Sequence, residues 1–88
     1  MKSFVDDFER YLLHERNASK HTVSNYMRDI KGFMSFLDIL HEGEAPDLPA
    51  DVTPDDITGF VASLYGRQKK STVARKLSSV RSLFTFLV

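Results

Sequence analysis

The sequence predicts an all-α domain, a compact four-helix orthogonal bundle. Four separate stretches repeat apolar residues at three- and four-residue steps. Three of them open on a Ser or Thr suited to cap a helix, and turn-forming residues separate them. No stretch alternates with the two-residue period of a strand, and no segment repeats another. The expected helices cover about 3–15, 19–41, 53–65 and 71–88.

The first stretch carries Phe4, Phe8, Tyr11 and Leu12 on one face, with Asp6, Asp7, Glu9 and Arg10 outward. Acids are expected in its first turn and Arg16 near its end, as the helix dipole favours. Asn17-Ala18 makes a short connection, and Ser19 is the N-cap of the second helix. Val23, Tyr26, Met27, Ile30, Phe33, Met34, Leu37 and Leu40 sustain its stripe. His21, Ser24, Asn25, Arg28, Gly32 and Ser35 fall on the opposite face, with Lys20 and Thr22 at the amino end, where free N–H groups favour anions. Gly32 costs about 1 kcal/mol of helix propensity relative to Ala. A close approach by another backbone would account for it, and so would drift.

The segment Glu42–Val52 holds two prolines, a glycine and several acids, and reads as a loop inside one domain. Thr53-Pro54-Asp55-Asp56 is a helix start with Thr at the cap, Pro at N1 and acids behind it. Ile57, Phe60, Val61 and Leu64 form the third stripe, and Gly66 fits a C′ stop. Arg67, Lys69 and Lys70 make a basic turn before the fourth helix, for which Ser71 is the expected N-cap. Val73, Leu77, Val80, Phe84 and Leu87 face inward there. Thr72, Arg75, Lys76, Ser79 and Ser82 gather on another face that carries cations and hydroxyls and no carboxylate of its own. Arg81 lies at the edge of the apolar stripe, where its stem covers core.

Formal net charge is zero, yet the charge is segregated. Residues 38–56 contain seven acids and no Lys or Arg, whereas 66–88 contain six Lys or Arg and no acid. An approaching phosphate responds to the local field within a Debye length of about 8–10 Å, so zero net charge does not exclude a polyanion. With no cysteine there is neither a disulfide framework nor a thiolate metal site. No apolar run reaches membrane-spanning length, and acids interrupt the region where a signal peptide would be apolar. A cytoplasmic location without membrane association is the expectation.

Catalytic motifs are missing. His14, His21 and His41 do not share a helix face and are expected to be scattered surface histidines, with no metal site. There is no Gly-rich phosphate loop and no nucleophile elbow, and no cofactor is implied. Tyr11, Tyr26 and Tyr65 lie at or beside apolar stripes. What remains is two helices with matching outward faces, Lys20, His21, Ser24, Asn25 and Arg28 on one, Thr72, Arg75, Lys76 and Ser79 on the other. Arg pairs with phosphate or guanine, Asn with adenine, and Ser or Thr with backbone or base. On spacing and charge alone, DNA binding and helix-mediated protein binding both remain open.

The run Glu15-Arg16-Asn17-Ala18-Ser19-x-His21-Thr22-x-x-Asn25-Tyr26-x-Arg28-Asp29-Ile30 resembles the opening of Xer-type tyrosine recombinases. So does Ser71-Thr72-Val73-Ala74-Arg75-Lys76-Leu77-Ser78-Ser79-Val80-Arg81. The resemblance covers nearly the whole chain and implies the N-terminal core-binding, SAM-like domain of a site-specific recombinase or phage-type integrase. It implies half of a clamp on duplex DNA, with the second and fourth helices approaching the major groove. The DNA-contacting set it implies is Lys20, His21, Thr22, Ser24, Asn25, Arg28, Lys69, Lys70, Ser71, Thr72, Arg75, Lys76 and Ser79, led by Arg75 and Lys76. Further recombinase protomers are the implied protein partners, and assembly through helical contacts, centred on the first helix, is the alternative role. The family's Arg–His–Arg set and nucleophilic tyrosine match nothing here, so no catalytic residue is expected. The apolar end at Leu87-Val88 fits a core-binding domain, 1–88, excised at an interdomain linker.

Overall fold

A computed structural model describes residues 1–87 and consists of four α-helices, α1 (Lys2–His14), α2 (Lys20–Leu40), α3 (Pro54–Leu64) and α4 (Lys70–Leu87). No strand occurs among these residues; a single isolated bridge joins Tyr65 and Gln68. The expected all-α class is borne out, and Val88, expected to close the last helix, lies outside the described residues. The molecule measures 33 × 29 × 19 Å. Its shortest dimension is two helices deep, since a helix with side chains is about 10–12 Å across.

Helix α2 spans the domain and contributes to two hydrophobic clusters. At one end Val23, Met27 and Ile30 pack with Val5, Phe8 and Leu12 of α1 and Leu83 of α4. At the other, Phe33 and Leu37 pack with Phe60 of α3 and Val80 of α4. Phe84 touches both clusters. Aromatic contacts add to each end, Phe86 lying tilted 4.8 Å from Tyr11 and Phe33 meeting Phe60 edge-on at 5.1 Å.

The stripe is as expected on α3 and on α2 as far as Leu37, while Leu40, expected to close the α2 stripe, is exposed; the other two shift slightly. On α1 the buried residues are Val5, Phe8 and Leu12, with Phe4 only half-buried. On α4 Leu83, outside the expected stripe, is fully buried, whereas Leu77 and Leu87 sit at its margin. A stripe 3.6 residues in period drifts around a helix, and neighbours on two sides select which of its edges is covered.

Caps define most of the ends. The Ser19 hydroxyl accepts the Thr22 N–H at 3.1 Å, starting α2 as expected. Thr53 and Asp56 form a reciprocal capping box at α3, with Pro54 at its first position. Gly66, with φ +81°, follows the end of α3. Three expectations need correction. Helix α1 starts at Lys2, so Asp6 and Asp7 fall beyond its first turn; the Met1 carbonyl takes the Val5 N–H, and the terminal amine reaches the Asp47 carbonyl at 2.8 Å. Ser71 is not the cap of α4. The Arg67 and Gln68 N–H groups both close back on the Leu64 carbonyl, and this compact turn lets α4 begin at Lys70, with the Lys69 carbonyl accepting from Val73. The segment 42–52 is a loop with a short 3-10 turn, Pro49–Asp51, inside it.

His41 is the third correction, for it is no free surface histidine. Its half-buried Nε2 lies 2.9 Å from Asp56 Oδ1 and ties the end of α2 to the start of α3. Burial alone would raise the Asp56 pKa. The Thr53 backbone N–H, the His41 ring and the Thr53 hydroxyl outweigh it and hold the carboxyl below its ordinary value of 3.8. A carboxyl depressed in the folded state contributes stability that is whole above the unfolded value and is lost as pH falls through the lower folded one. Urea titrations at neutral and acid pH should therefore show a larger acid loss for the native sequence than for Asp56→Asn. Equal losses would mean that this carboxyl has no part in the acid limb.

Candidate nucleic-acid interface

The polar faces of α2 and α4 meet at one buried carboxylate. Asp29 of α2 is 2% exposed, in a helix whose neighbouring positions Ile30 and Phe33 are fully covered. Arg75 of α4 places Nη1 3.0 and 2.8 Å from its two oxygens, and Ser79, one turn on, donates its hydroxyl to Oδ2 at 2.8 Å. Among the described residues no buried side-chain nitrogen or oxygen is left without a partner. The carboxylate that the α4 face lacks is supplied by α2.

This corrects the expectation that α4 offers an unpaired cationic face led by Arg75. Arg75 belongs first to the helix–helix contact, and Ser79, 5% exposed, is buried and turned inward. Arg75 is nevertheless only half withdrawn, its side chain remaining 45% exposed. Only Nη1 reaches Asp29, so the other guanidinium nitrogens are held in a fixed orientation at the surface.

Two clefts flank the contact and share Asp29. The smaller, about 240 Å³, lies along the amino-terminal half of α2 and brings Thr22 and Asn25 beside Arg75. The larger, about 400 Å³, lies along the carboxy-terminal half, where Arg28, Arg67 and Lys76 come from α2, the α3–α4 turn and α4. The other expected residues surround these clefts. Lys20, Ser24 and Arg28 also line a recess between α1 and α2. His21, Lys69, Lys70 and Ser71 are exposed, and Thr72 is half-buried. The Thr22 hydroxyl is partly engaged, accepting from Ser19 at 2.9 Å. Arg28, Lys69, Lys70, Lys76 and Arg67 form no ion pair among the described residues.

The last acids of the acidic segment stand away from the basic turn. Asp55 and Asp56 are in the first turn of α3 and Arg67 to Lys70 follow its last, separated by 11 helical residues or about 16 Å. On α1, Glu9 lines the same recess as Lys20, Ser24 and Arg28, and Asp7 pairs with Arg10 on its own helix. Among the described residues no group of three or more His, Cys, Asp or Glu could hold a metal, and no helix is long and apolar enough to cross a membrane.

Residues 5–88 match the family described as the phage integrase N-terminal SAM-like domain. The chain belongs to this family. Among curated relatives, the tyrosine recombinase XerC of Roseiflexus castenholzii is 40% identical over 99% of the chain, and that of Oceanobacillus iheyensis is 36% identical over 99%. The tyrosine recombinase XerD of Listeria monocytogenes is 34% identical over 100% of it. The SAM-like domain seen here spans between 27% and 29% of the length of those three proteins. No solved structure matches the chain at a significant level.

The residue that sequence reasoning passed over is Asp29. Its signal is present: an acid three residues after Tyr26 and four before Phe33 sits on the edge of the apolar stripe, where a carboxylate needs a cation from another element. The two partners should respond unequally to removal. Arg75→Ala strands a buried carboxylate and should cost about 3–5 kcal/mol. Asp29→Ala leaves an arginine able to reach water and should cost about 1–3 kcal/mol. The double variant should be less damaged than Arg75→Ala alone, in a cycle measured by urea unfolding. Additive losses would mean that the pair is not coupled.

Proposed function

We propose that this SAM-like domain is the DNA-binding half-clamp of a site-specific tyrosine recombinase, gripping duplex DNA through α2 and α4 while a separate part of the enzyme breaks and rejoins strands. The observation that carries this reading is the gathering of Arg28, Arg67 and Lys76, with no ion-pair partner among the described residues, in a cleft beside the helix contact that holds Arg75. One oriented arginine and three unpaired cations over two neighbouring clefts match the spread charge of a nucleic-acid backbone better than a single small anion. Asn25 and Arg75, side by side in the smaller cleft, are the groups suited to read base edges. Lys20, His21, Ser24, Thr72, Lys69, Lys70 and Ser71 serve phosphate and sugar contacts around them. Ser79 acts by fixing Asp29 and so Arg75.

A second role in assembly is favoured by one feature. An apolar groove of about 650 Å³ runs along α3 and α4, lined by Ile57, Val61 and Leu77 and bordered by the exposed Tyr65. Contact between protomers there would survive salt that removes DNA.

The test is fluorescence anisotropy with a labelled duplex across a salt series. About four to six neutralised phosphates give a slope of log K against log salt of about −4 to −5, with micromolar or weaker affinity for a lone domain. Arg28→Gln and Lys76→Gln should each weaken binding and reduce the slope by about 1, whereas Glu44→Gln should change neither. A salt-independent affinity, or unaltered slopes in both cation variants, would refute the assignment.

A further inference from the structure

Gly43 and Gly66 adopt φ of +87° and +81°, which side-chain-bearing residues rarely take, and a Cβ on Gly59 would rest in ordinary contact, 3.4 Å, with the Phe36 ring. Gly32 has neither a special φ nor a neighbour. It sits inside α2 with no positive φ, and a Cβ built on it would meet nothing within 4 Å. A residue that weakens a helix and yields no packing in return points outside the molecule for its explanation.

Its surroundings supply one. Gly32 forms part of the wall of the larger cleft, one turn beyond Arg28 on the same face of α2 and one turn before Ser35. Arg67 and Lys76 close on the same cleft from the α3–α4 turn and from α4, and the Gln68 side chain adds donors, whereas the Ser63 hydroxyl is spent on the Phe60 carbonyl at 2.6 Å. The one carboxylate bordering it, Asp29, is already satisfied by Arg75 and Ser79. Cations from three separate elements therefore converge over a patch of bare helix backbone.

Resting on the DNA-binding reading above, we propose that Gly32 is where one strand's sugar–phosphate backbone seats against α2, its phosphates held by Arg28, Arg67 and Lys76. The missing side chain lets the strand come to the helix surface, as glycine does wherever a backbone must approach closely. The outward stripe of α2 then has a graded profile. His21, Asn25 and Arg28 reach outward from its amino-terminal half, and Gly32 and Ser35 leave the strand room to cross. Arg67 becomes a phosphate contact on a par with Lys76.

The proposal requires stability and binding to move in opposite directions. Gly32→Ala and Gly32→Gln should both melt higher than the native sequence, Gly32→Ala by roughly 4–8 °C, because each replaces a helix-weakening residue at an exposed site. Both should bind the labelled duplex more weakly, and Gly32→Gln by roughly tenfold or more, the scale of a contact held away from the surface. Arg67→Gln should lower the salt slope by about 1. If Gly32→Gln binds as tightly as the native domain while Arg28→Gln and Lys76→Gln bind weakly, the seating of the strand at Gly32 is wrong and the DNA face stands. If the native domain binds no duplex at low salt, both fail together.

Discussion

Everything at the cationic face depends on the buried carboxylate of Asp29. An ionised group removed from water must be compensated by charge and hydrogen bonds at once, and Arg75 and Ser79 do this from successive turns of α4. The requirement fixes the position of α4 along α2 and its rotation, because only one rotation brings both donors to the carboxylate. It also converts Arg75 from a flexible side chain into an oriented one. An arginine held in this way loses less conformational freedom when it meets an external acceptor, which is the usual advantage of preorganisation. On the proposed DNA-binding reading, the same interaction serves both stability and recognition.

Charge segregation completes the arrangement. Twelve acids and twelve Lys or Arg leave the chain neutral, yet α3 holds Asp55 and Asp56 at one end and the turn bearing Arg67, Lys69 and Lys70 at the other. The acids are not idle: Asp56 caps α3 and holds His41, which secures the loop beneath the second hydrophobic cluster. A neutral domain can in this way present a local positive field to a phosphate while avoiding the self-repulsion of a strongly basic protein.

The bundle was legible in the sequence wherever a local rule decides the outcome. Ser19 and the Thr53–Asp56 box mark their helix starts because capping is a matter of three or four consecutive residues, and Gly66 marks a stop because few residues tolerate its φ. Ser71 misled because the preceding turn is tighter than residue types reveal, so α4 starts before its apparent cap. The candidate face was legible as a set of residue types, and its internal organisation was not. Asp29 and Arg75 stand 46 positions apart, and His41 and Asp56 15 apart; no periodicity within one helix shows which acid reaches which cation on another. The resemblance to Xer-type recombinases named the right family, while the division of labour within the face, Arg75 anchored and Lys76 free, emerged only from packing.

Binding of DNA at the face around the Asp29–Arg75 contact is open to direct test by NMR titration of the isotopically labelled domain with a short duplex at low and high salt. Binding there should give shifts concentrated on Lys20 to Ser35 and Arg67 to Lys76, fading as salt rises, with residues 42–52 unmoved. Shifts confined to α1 or to the groove between α3 and α4, or shifts indifferent to salt, would contradict it.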